Sequence, residues 1–273
     1  MAEDRETLRA TFDEDPHRYD RARPTYPAAV FDEIDRRVAT TAPRTLEIGC
    51  GTGQATIDLA RRGHRVVAVE LGPALAELAR SRLAGFPQVE VVTADVERWE
   101  PEVAGFDVVV CATAFHWLDP DTRLARAARL LRPGGVLALV QTIAVAGPSD
   151  AFFAGAQTCY ERWDPDTPPG LRLPRAEDLP AASAYGIEDA EDFHSAEMRR
   201  FRVDHHYDPE QYLDLIGTFS NHRALPAWRR DGLFACLRER LRAQPGGPVV
   251  RSVAVELATA FSRDRRAARV GCV

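Results

Sequence analysis

Between residues 43 and 145, short apolar runs alternate regularly with helical stretches, and this alternation constrains the fold more than any other feature. The runs are rich in β-branched residues and have the length of buried strands. Strands that alternate with helices of this length form βαβ units, so the pattern predicts an α/β fold with a mostly parallel sheet. We predict strands over residues 45–48, 65–70, 89–95, 106–113 and 136–143. The predicted helices are QATIDLARRG, PALAELARSRLA and TRLARAARLLRPGG, the last of which ends at its Pro-Gly-Gly.

The segments on either side of this pattern differ from it. Residues 1–42 look helical and polar, and residues 146–197 are rich in Pro and Asp with weaker periodicity. We therefore predict four parts: an N-terminal helical lid (1–42), a core (43–145), a cap inserted after the fifth strand (146–197), and a C-terminal part that completes the sheet (198–273). In that last part we predict strands over 198–207 and 249–261 and helices over 209–219 and 227–243.

Composition excludes several classes of function. The net charge of −6 gives no general attraction for nucleic acid. All 35 basic residues are arginine, which rules out a Schiff-base lysine and a P-loop lysine. The polar start MAEDRETLRA does not resemble a signal peptide, and no apolar run approaches the roughly 18 residues of a membrane helix. The cysteines are scattered without a CxxC, so we expect a cytoplasmic protein in which they are reduced. They are Cys50, Cys111, Cys159, Cys236 and Cys272.

A glycine-rich turn, in RTLEIGCGTGQATIDLA (44–60), lies between the first predicted strand and the first helix of the alternation. Gly49, Gly51 and Gly53 let the backbone approach a ligand and leave free N–H groups at the helix start. A dinucleotide-binding GxGxxG would need a glycine where Gln54 stands, and a P-loop would need a lysine. The turn therefore indicates another ligand, or a tight connection without one.

Four further segments, taken with this turn, resemble the class I S-adenosylmethionine-dependent methyltransferases. The motifs LEIGCGTGQ, VVAVELGPALAELAR, VTADVERW, FDVVVCATAFHWLD and LLRPGGVLAL follow the order of that family over about residues 44–140. The resemblance implies a Rossmann-like sheet of seven strands with helices on both faces. The last strand would be antiparallel and would correspond to 249–261. It also implies S-adenosylmethionine as cofactor and S-adenosylhomocysteine as product.

The resemblance assigns roles to residues at the strand ends. Glu70 would accept both ribose hydroxyls, and Asp95 would lie near the adenine amino group with a backbone contact from Val96. Glu47 would order the glycine loop or reach the methionine amino group. Two structural alternatives remain open: an exposed charge at Glu70, and a turn or helix cap at Asp95. The implied cofactor set is Tyr19, Arg23, Glu47, Gly49, Gly51, Gly53, Gln54, Glu70, Leu71, Asp95, Val96 and Thr113.

The stretch FDEDPHRYDRARPTYP (12–27) resembles the small-molecule branch of the family that includes the trans-aconitate methyltransferases. In that branch such a segment covers the cofactor. Tyr19 and Arg23 are therefore candidates for contacting the methionine carboxylate, since arginine suits carboxylates. A packed amphipathic arm with a surface arginine is the alternative.

The fourth strand ends at ATAFHWLD, where ligands of open α/β sheets bind. We expect Thr113, Phe115, His116 and Trp117 to face the methyl group. His116 is a candidate general base, and the Trp117 ring a candidate for positioning the methyl group or the acceptor. The alternatives are a loop-holding histidine and a core tryptophan. A carboxylate acceptor is already ionised and would need no base.

These residues together predict an enzyme that methylates a small molecule, as a monomer or homodimer in bacterial specialised metabolism. We expect O-methylation of a carboxylate or hydroxyl, with N- or C-methylation and a non-catalytic S-adenosylmethionine-binding protein as alternatives. No metal site is expected, because the adjacent His205 and His206 would point to opposite faces of a strand. The acceptor pocket is expected in 146–197 and 205–245. Within this region, TFSNHRALP (218–226) either lines the pocket or turns between helices.

Overall fold

A computed structural model describes residues 2–103, 105–244 and 247–264. The helices of this part are α1 (Ala2–Ala10), α2 (Pro16–Ala22), α3 (Ala28–Arg37), α4 (Gln54–Arg61), α5 (Pro73–Leu83), α6 (Arg123–Leu130), α7 (Asp150–Trp163), α8 (Pro209–Ile216), α9 (Ser220–Ala224) and α10 (Ala227–Ala243). Short 3-10 helices cover Thr11–Glu14, Phe115–Trp117 and Ala176–Asp178. None of the described helices combines the length and the apolar character needed to cross a membrane.

The strands form one seven-stranded sheet in the order β3-β2-β1-β4-β5-β7-β6. Strand β1 pairs in parallel with both β2 and β4, so that Leu46 lies opposite Val67 on one side and Val109 on the other. Strand β7 is antiparallel, as the resemblance implied. The strand order reverses between β1 and β4, and in open α/β sheets ligands bind at the carboxyl ends on either side of such a point. The strands are β1 (Arg44–Ile48), β2 (Arg65–Glu70), β3 (Val89–Thr93), β4 (Phe106–Ala112), β5 (Leu131–Ala144), β6 (Phe193–Tyr207) and β7 (Val249–Ser262).

One helix boundary and two strand starts differ clearly from the sequence prediction: β5 begins at Leu131 and β6 at Phe193, each five residues before its predicted start. Helix α6 ends at Leu130, and the Pro-Gly-Gly expected to end it lies inside β5. The pairing of β4 with β5 shifts register between Phe106 and Val108, and a proline is tolerated in a strand at such an irregularity. The added residues of β6 do not alternate strictly, because His194 and Ser195 are both exposed and Ser195 has a φ of +52°.

The chain divides into two compact units, each of which combines distant segments. The first unit contains the described residues of 2–23, 143–179 and 202–254; the second contains those of 24–142, 180–201 and 255–264. The four parts drawn from the sequence stay predictions.

The second unit has its core in the central strands. Leu46, Val109 and Leu137, from β1, β4 and β5, are fully buried, as expected for a parallel sheet covered by helices on both faces. The segment over residues 180–201 adds Ile187 and Phe193 to the same apolar cluster.

In the first unit, α7, α8 and α10 contribute Phe152, Leu213 and Leu237 to a separate core. Helix α8 begins with a capping box. The Asp208 side chain accepts from the Gln211 backbone N–H, and the Gln211 side chain accepts from the Asp208 backbone N–H.

The cysteine prediction was wrong for two residues. Cys159 on α7 and Cys236 on α10 form a disulfide across 77 positions of sequence, with their Cα atoms 5.8 Å apart. Packing of α7 on α10 brings them together, and their spacing in the sequence carries no sign of this. Cys50 and Cys111 are free and buried, and burial raises the pKa of both thiols. Cys272 lies outside the described residues.

Candidate cofactor site

The glycine turn joins β1 to α4 in a conformation that favours glycine. Gly49, Gly51 and Gly53 have φ angles of +69°, +58° and +92°. The Gly49 N–H donates to the Val69 carbonyl of β2 at 2.8 Å. A Cβ atom at Gly49 would lie 2.6 Å from the Cβ of Ala114, closer than such atoms approach in proteins. The turn is therefore held tightly against the segment that follows β4.

Glu70 ties the glycine turn to the end of β2. Its Oε2 accepts from the Gly51 N–H at 2.8 Å, and its Oε1 accepts from the Gly72 N–H at 2.9 Å. The residue is 8% exposed, so these bonds satisfy a buried charge rather than a surface one. An ionised carboxylate can accept about four hydrogen bonds. The sequence predicted only the role toward ribose and missed this structural one.

Glu47 lies buried near the end of β1, two residues before Gly49. Its Oε2 accepts from the Thr56 hydroxyl of α4 at 2.6 Å. Burial raises the pKa of Glu47 from 4.5 to about 8, against the hydrogen bond from Thr56, and the charge of Glu70 raises it further. The carboxyl group therefore holds a proton at neutral pH. A cation placed beside it would favour its ionised form.

Gln54 and Leu71 are the other predicted residues that adjoin the glycine turn and Glu70 in the sequence. Gln54 donates from Nε2 to the Thr52 hydroxyl at 2.7 Å, which fixes the turn internally. Arg82 of α5, which the sequence did not single out, donates from Nη1 to the Thr52 carbonyl at 3.0 Å. Leu71 is 38% exposed although it is apolar, directly after Glu70.

Asp95 forms a turn at the end of β3. Its Oδ1 accepts from the Glu97 N–H at 3.1 Å, and its carbonyl accepts from the Trp99 N–H at 2.8 Å. Val96 is buried, and its carbonyl accepts from the Arg126 side chain at 3.1 Å. The turn that the sequence left open as an alternative is thus present, and the adenine contact stays a prediction.

Thr113 stands directly after β4 with a φ of +58°, a conformation that β-branched residues rarely adopt. Its N–H donates to the Val140 carbonyl at 2.7 Å, and its hydroxyl lies 2.9 Å from the Tyr26 hydroxyl. Strained backbone of this kind clusters at functional sites. Tyr26 belongs to the RPTYP stretch noted in the sequence, but its partner could not be read there.

The aromatic residues after Thr113 separate into exposed and buried ones. His116 is exposed, and Trp117 is half-buried with its ring centroid 4.7 Å from that of His116. Phe115 was expected to face the methyl group, and this expectation was wrong. The residue is fully buried with its ring packed on Tyr185 at 5.2 Å, because the short 3-10 helix turns it into the core.

Tyr19 and Arg23 lie in the first unit, whereas the other candidate residues lie in the second. Arg23 donates from Nε to the Thr218 hydroxyl at 2.8 Å and from Nη2 to the Thr218 carbonyl at 2.9 Å. Its guanidinium also stacks on Tyr19, 5.0 Å from the ring centroid. The contact of both residues with a cofactor carboxylate stays a prediction.

The histidines considered for metal binding lie on β6, where His205 is half-buried and His206 exposed. The described residues contain no group of three or more His, Cys, Asp or Glu side chains arranged to hold a metal ion.

Comparison with known proteins supports the motif assignment. A family described as a methyltransferase domain matches residues 45–135. An uncharacterized methyltransferase from Mycobacterium tuberculosis is 38% identical over 122 residues, which are 45% of this chain and 48% of that protein. Trans-aconitate 2-methyltransferase from Methylobacterium radiotolerans is 38% identical over 129 residues, 46% of this chain and 47% of the relative. The match thus spans about half the length of these curated relatives.

Among solved structures, a candidate type II methyltransferase from Anaeromyxobacter dehalogenans is 26% identical, with a TM-score of 0.63 over 88% of this chain and 97% of that one. The family match encloses the glycine turn, Glu70, Asp95 and Thr113. Residues 45–135 therefore form a methyltransferase domain, which belongs to the class I S-adenosylmethionine-dependent methyltransferases.

Proposed function

We propose that this protein is an enzyme that transfers the methyl group of S-adenosylmethionine to the oxygen of a small-molecule carboxylate or hydroxyl. The observation that carries the proposal is the glycine turn, held by Glu70 through the N–H groups of Gly51 and Gly72, inside a matched methyltransferase domain. A turn fixed in this way presents backbone N–H groups at the start of α4 without further ordering, which reduces the entropy cost of binding.

The residues around the turn fit the parts of this cofactor. A carboxylate such as that of Glu70 can accept from both ribose hydroxyls. Exposed Leu71 offers an apolar surface for adenine, and Asp95 would accept from its amino group. Glu47 would face the methionine ammonium, and the nearby cation would then favour loss of the carboxyl proton.

The residues after β4 fit the transfer step. When bound, S-adenosylmethionine supplies an electrophilic methyl group on a sulfonium whose leaving group is a neutral thioether. Trp117 would place a ring face toward the positive charge, since such faces attract cations. For a hydroxyl acceptor, His116 would accept the proton; for a carboxylate acceptor, positioning alone would supply the acceleration.

The proposal that the acceptor atom is oxygen rests on the similarity to one curated relative. The curated relative from Methylobacterium radiotolerans is named a trans-aconitate 2-methyltransferase, and trans-aconitate is a carboxylic acid. An arginine that orients the acceptor carboxylate would fit this chemistry.

A label-transfer assay tests the proposal. The protein is incubated with methyl-tritiated S-adenosylmethionine and a small-molecule extract, with protein and RNA fractions as parallel acceptors, and products are then treated with mild base. We expect labelled small molecules. Volatile methanol released by base would identify a methyl ester, and the His116→Ala variant would then keep its rate. An ether would resist base, and the variant would be slow. Label found in protein or RNA alone, or in no fraction, would contradict the proposed function.

A further inference from the structure

A cavity of about 500 Å³ lies entirely within the first unit. Its walls come from α7, α8 and α9, from the loop over residues 164–173 and from the first residues of β7. The rings of Phe153, Tyr160, Tyr212 and Phe219 line it. Ligand pockets commonly measure about 300–1,000 Å³ and are lined by apolar and aromatic side chains, with a few polar groups that orient the ligand. This cavity has that size and that lining.

Arg251 brings a positive charge to the cavity wall. It is half-buried, and its guanidinium carbon lies 5.7 Å from the centroid of Phe219. Its charge also acts on the hydroxyls of Tyr160 and Tyr212: burial raises the pKa of both groups, and Arg251 opposes that rise. The guanidinium therefore lies close to the aromatic groups of the cavity.

In the part of the chain that the structure describes, Arg251 forms no ion pair and donates no hydrogen bond. Other half-buried arginines are paired: Arg200 contacts Glu256 at 2.5 Å, and Arg223 contacts Glu14 at 2.5 Å. Guanidinium groups removed from water normally find a carboxylate or another acceptor. Arg251 thus has donors to spare, beside an apolar cavity.

The other charged groups of the cavity do not supply that acceptor. Asp150, at the start of α7, accepts from the Gly147 N–H at 2.7 Å, and Asp164 accepts from the Asp166 N–H at 3.3 Å, so both contacts are local. Arg172, a second cation, is exposed. His222 donates from Nδ1 to the Ile216 carbonyl at 2.7 Å, and burial lowers its pKa, so it adds no positive charge at neutral pH.

We propose that this cavity binds an organic anion that has an apolar, ring-sized body and a carboxylate. The carboxylate pairs with Arg251, and the body lies among Phe153, Tyr160 and Phe219. A planar guanidinium matches a carboxylate in a two-point geometry that an amide or an alcohol does not reproduce. That the anion is the methyl acceptor rests on the proposed function; that the cavity binds it does not.

Calorimetric titration with three probes of similar size tests the proposal. The probes are 3-phenylpropionate, 3-phenylpropanamide and 3-phenylpropylamine, which differ only in the group that would meet Arg251. We expect the acid to bind about tenfold more tightly than the amide, as a charge-assisted hydrogen bond implies. Equal affinity for acid and amide would overturn the proposal. Tightest binding of the amine would overturn it too, and would indicate a cation site at Asp164.

Variants assign the effect to one residue. Arg251→Gln is expected to lose the preference for the acid, and Arg251→Lys to keep part of it, since lysine retains the charge without the planar fork. Arg242→Gln removes the same charge from an exposed position on α10 and serves as the control. A preference that persists in Arg251→Gln would contradict the assignment. If Arg251→Gln does not fold, the proposal is tested by Arg251→Lys and by the ratio of the affinities of the unaltered protein for the acid and the amide.

The same proteins are titrated with S-adenosylhomocysteine, which separates this proposal from the proposed function. Arg251→Gln is expected to bind it as the unaltered protein does. Acid binding without S-adenosylhomocysteine binding would remove the methyltransferase function and leave the anion site standing. S-adenosylhomocysteine binding without any preference for the acid would do the reverse.

Discussion

Glu47 carries a carboxyl group whose proton is coupled to folding. Burial raises its pKa in the folded protein to about 8, from 4.5 in the unfolded chain. Below pH 4.5 both states hold the proton, and between these two values only the folded state does. The contribution of Glu47 to the free energy of unfolding is therefore fully present below about pH 4.5 and is lost progressively as the pH rises from there to about 8.

The Glu47→Gln variant should lack this pH dependence. A glutamine can still accept from Thr56, so the fold is retained while the titration disappears. Denaturant unfolding at several pH values measures the difference between the variant and the unaltered protein. We expect the free energy of unfolding of the variant to rise relative to that of the unaltered protein by up to about 1.4 kcal/mol for each pH unit between 5 and 8. Glu90→Gln, at an exposed position on β3, is the matched control. Parallel pH profiles for all three proteins would contradict this account of Glu47.

Glu70 fixes the glycine turn by accepting from the N–H groups of Gly51 and Gly72. We propose that the same carboxylate also meets the ribose. Substitution by glutamine would place an amide NH₂ against one of the two backbone N–H groups. A buried donor left without an acceptor costs about 1–3 kcal/mol, so the variant tests the turn and the binding together.

At the scale of elements, the connection from β1 to α4 depends on the close approach of Gly49 to Ala114. Gly49→Ala would place a Cβ 2.6 Å from that of Ala114 and would hold alanine at a φ of +69°. The left-handed conformation alone costs about 1–2 kcal/mol. Gly134 has a φ of +72° with open space around it, so Gly134→Ala carries the conformational cost without the overlap.

We therefore expect Gly49→Ala to lose more unfolding free energy than Gly134→Ala, by about 1–3 kcal/mol for the forced displacement. It should also weaken the binding of S-adenosylhomocysteine, whereas Gly134→Ala should not. Chemical denaturation and calorimetry measure the two effects. Equal losses in both variants would mean that the turn is not pressed against the segment after β4.

The elements that the sequence predicted well are those with a local cause. Strands β1 and β2 and helices α4 and α5 begin within one residue of their predicted positions, since their apolar period and their glycine and proline boundaries lie in the same few residues. Helix α7 was missed, although Phe152, Ala156, Cys159 and Trp163 recur at helical spacing. The aspartates and prolines that follow it hid this pattern.

The candidate site was predictable where one residue carries the signal. The glycine turn, Glu70 and Thr113 stand at the ends of β1, β2 and β4, as the motifs indicated. The hydrogen bond between the Tyr26 and Thr113 hydroxyls and the burial of Phe115 depend on segments that only the fold brings together. The cavity beside Arg251 joins residues more than 100 positions apart, so no local pattern marks it.

At the scale of the whole molecule, the disulfide between Cys159 and Cys236 links α7 to α10 across 77 residues. A bond that closes a loop of this length restricts the unfolded chain and typically stabilises the folded one by about 2–4 kcal/mol. We expect the Cys159→Ser/Cys236→Ser double variant to unfold at a correspondingly lower denaturant concentration. Titration of free thiols in the denatured protein should find three before reduction and five after it. Five free thiols before reduction would contradict the bond.

The central claim is that residues 45–135 bind S-adenosylmethionine through a turn that Glu70 holds in place. Calorimetric titration of S-adenosylhomocysteine against NAD tests it most directly, with the unaltered protein, with Glu70→Gln, and with Glu77→Gln as an exposed control on α5. We predict that the unaltered protein and the control bind S-adenosylhomocysteine and not NAD, and that Glu70→Gln binds at least about tenfold more weakly. Binding of NAD in its place, or an affinity unchanged in Glu70→Gln, would contradict the account.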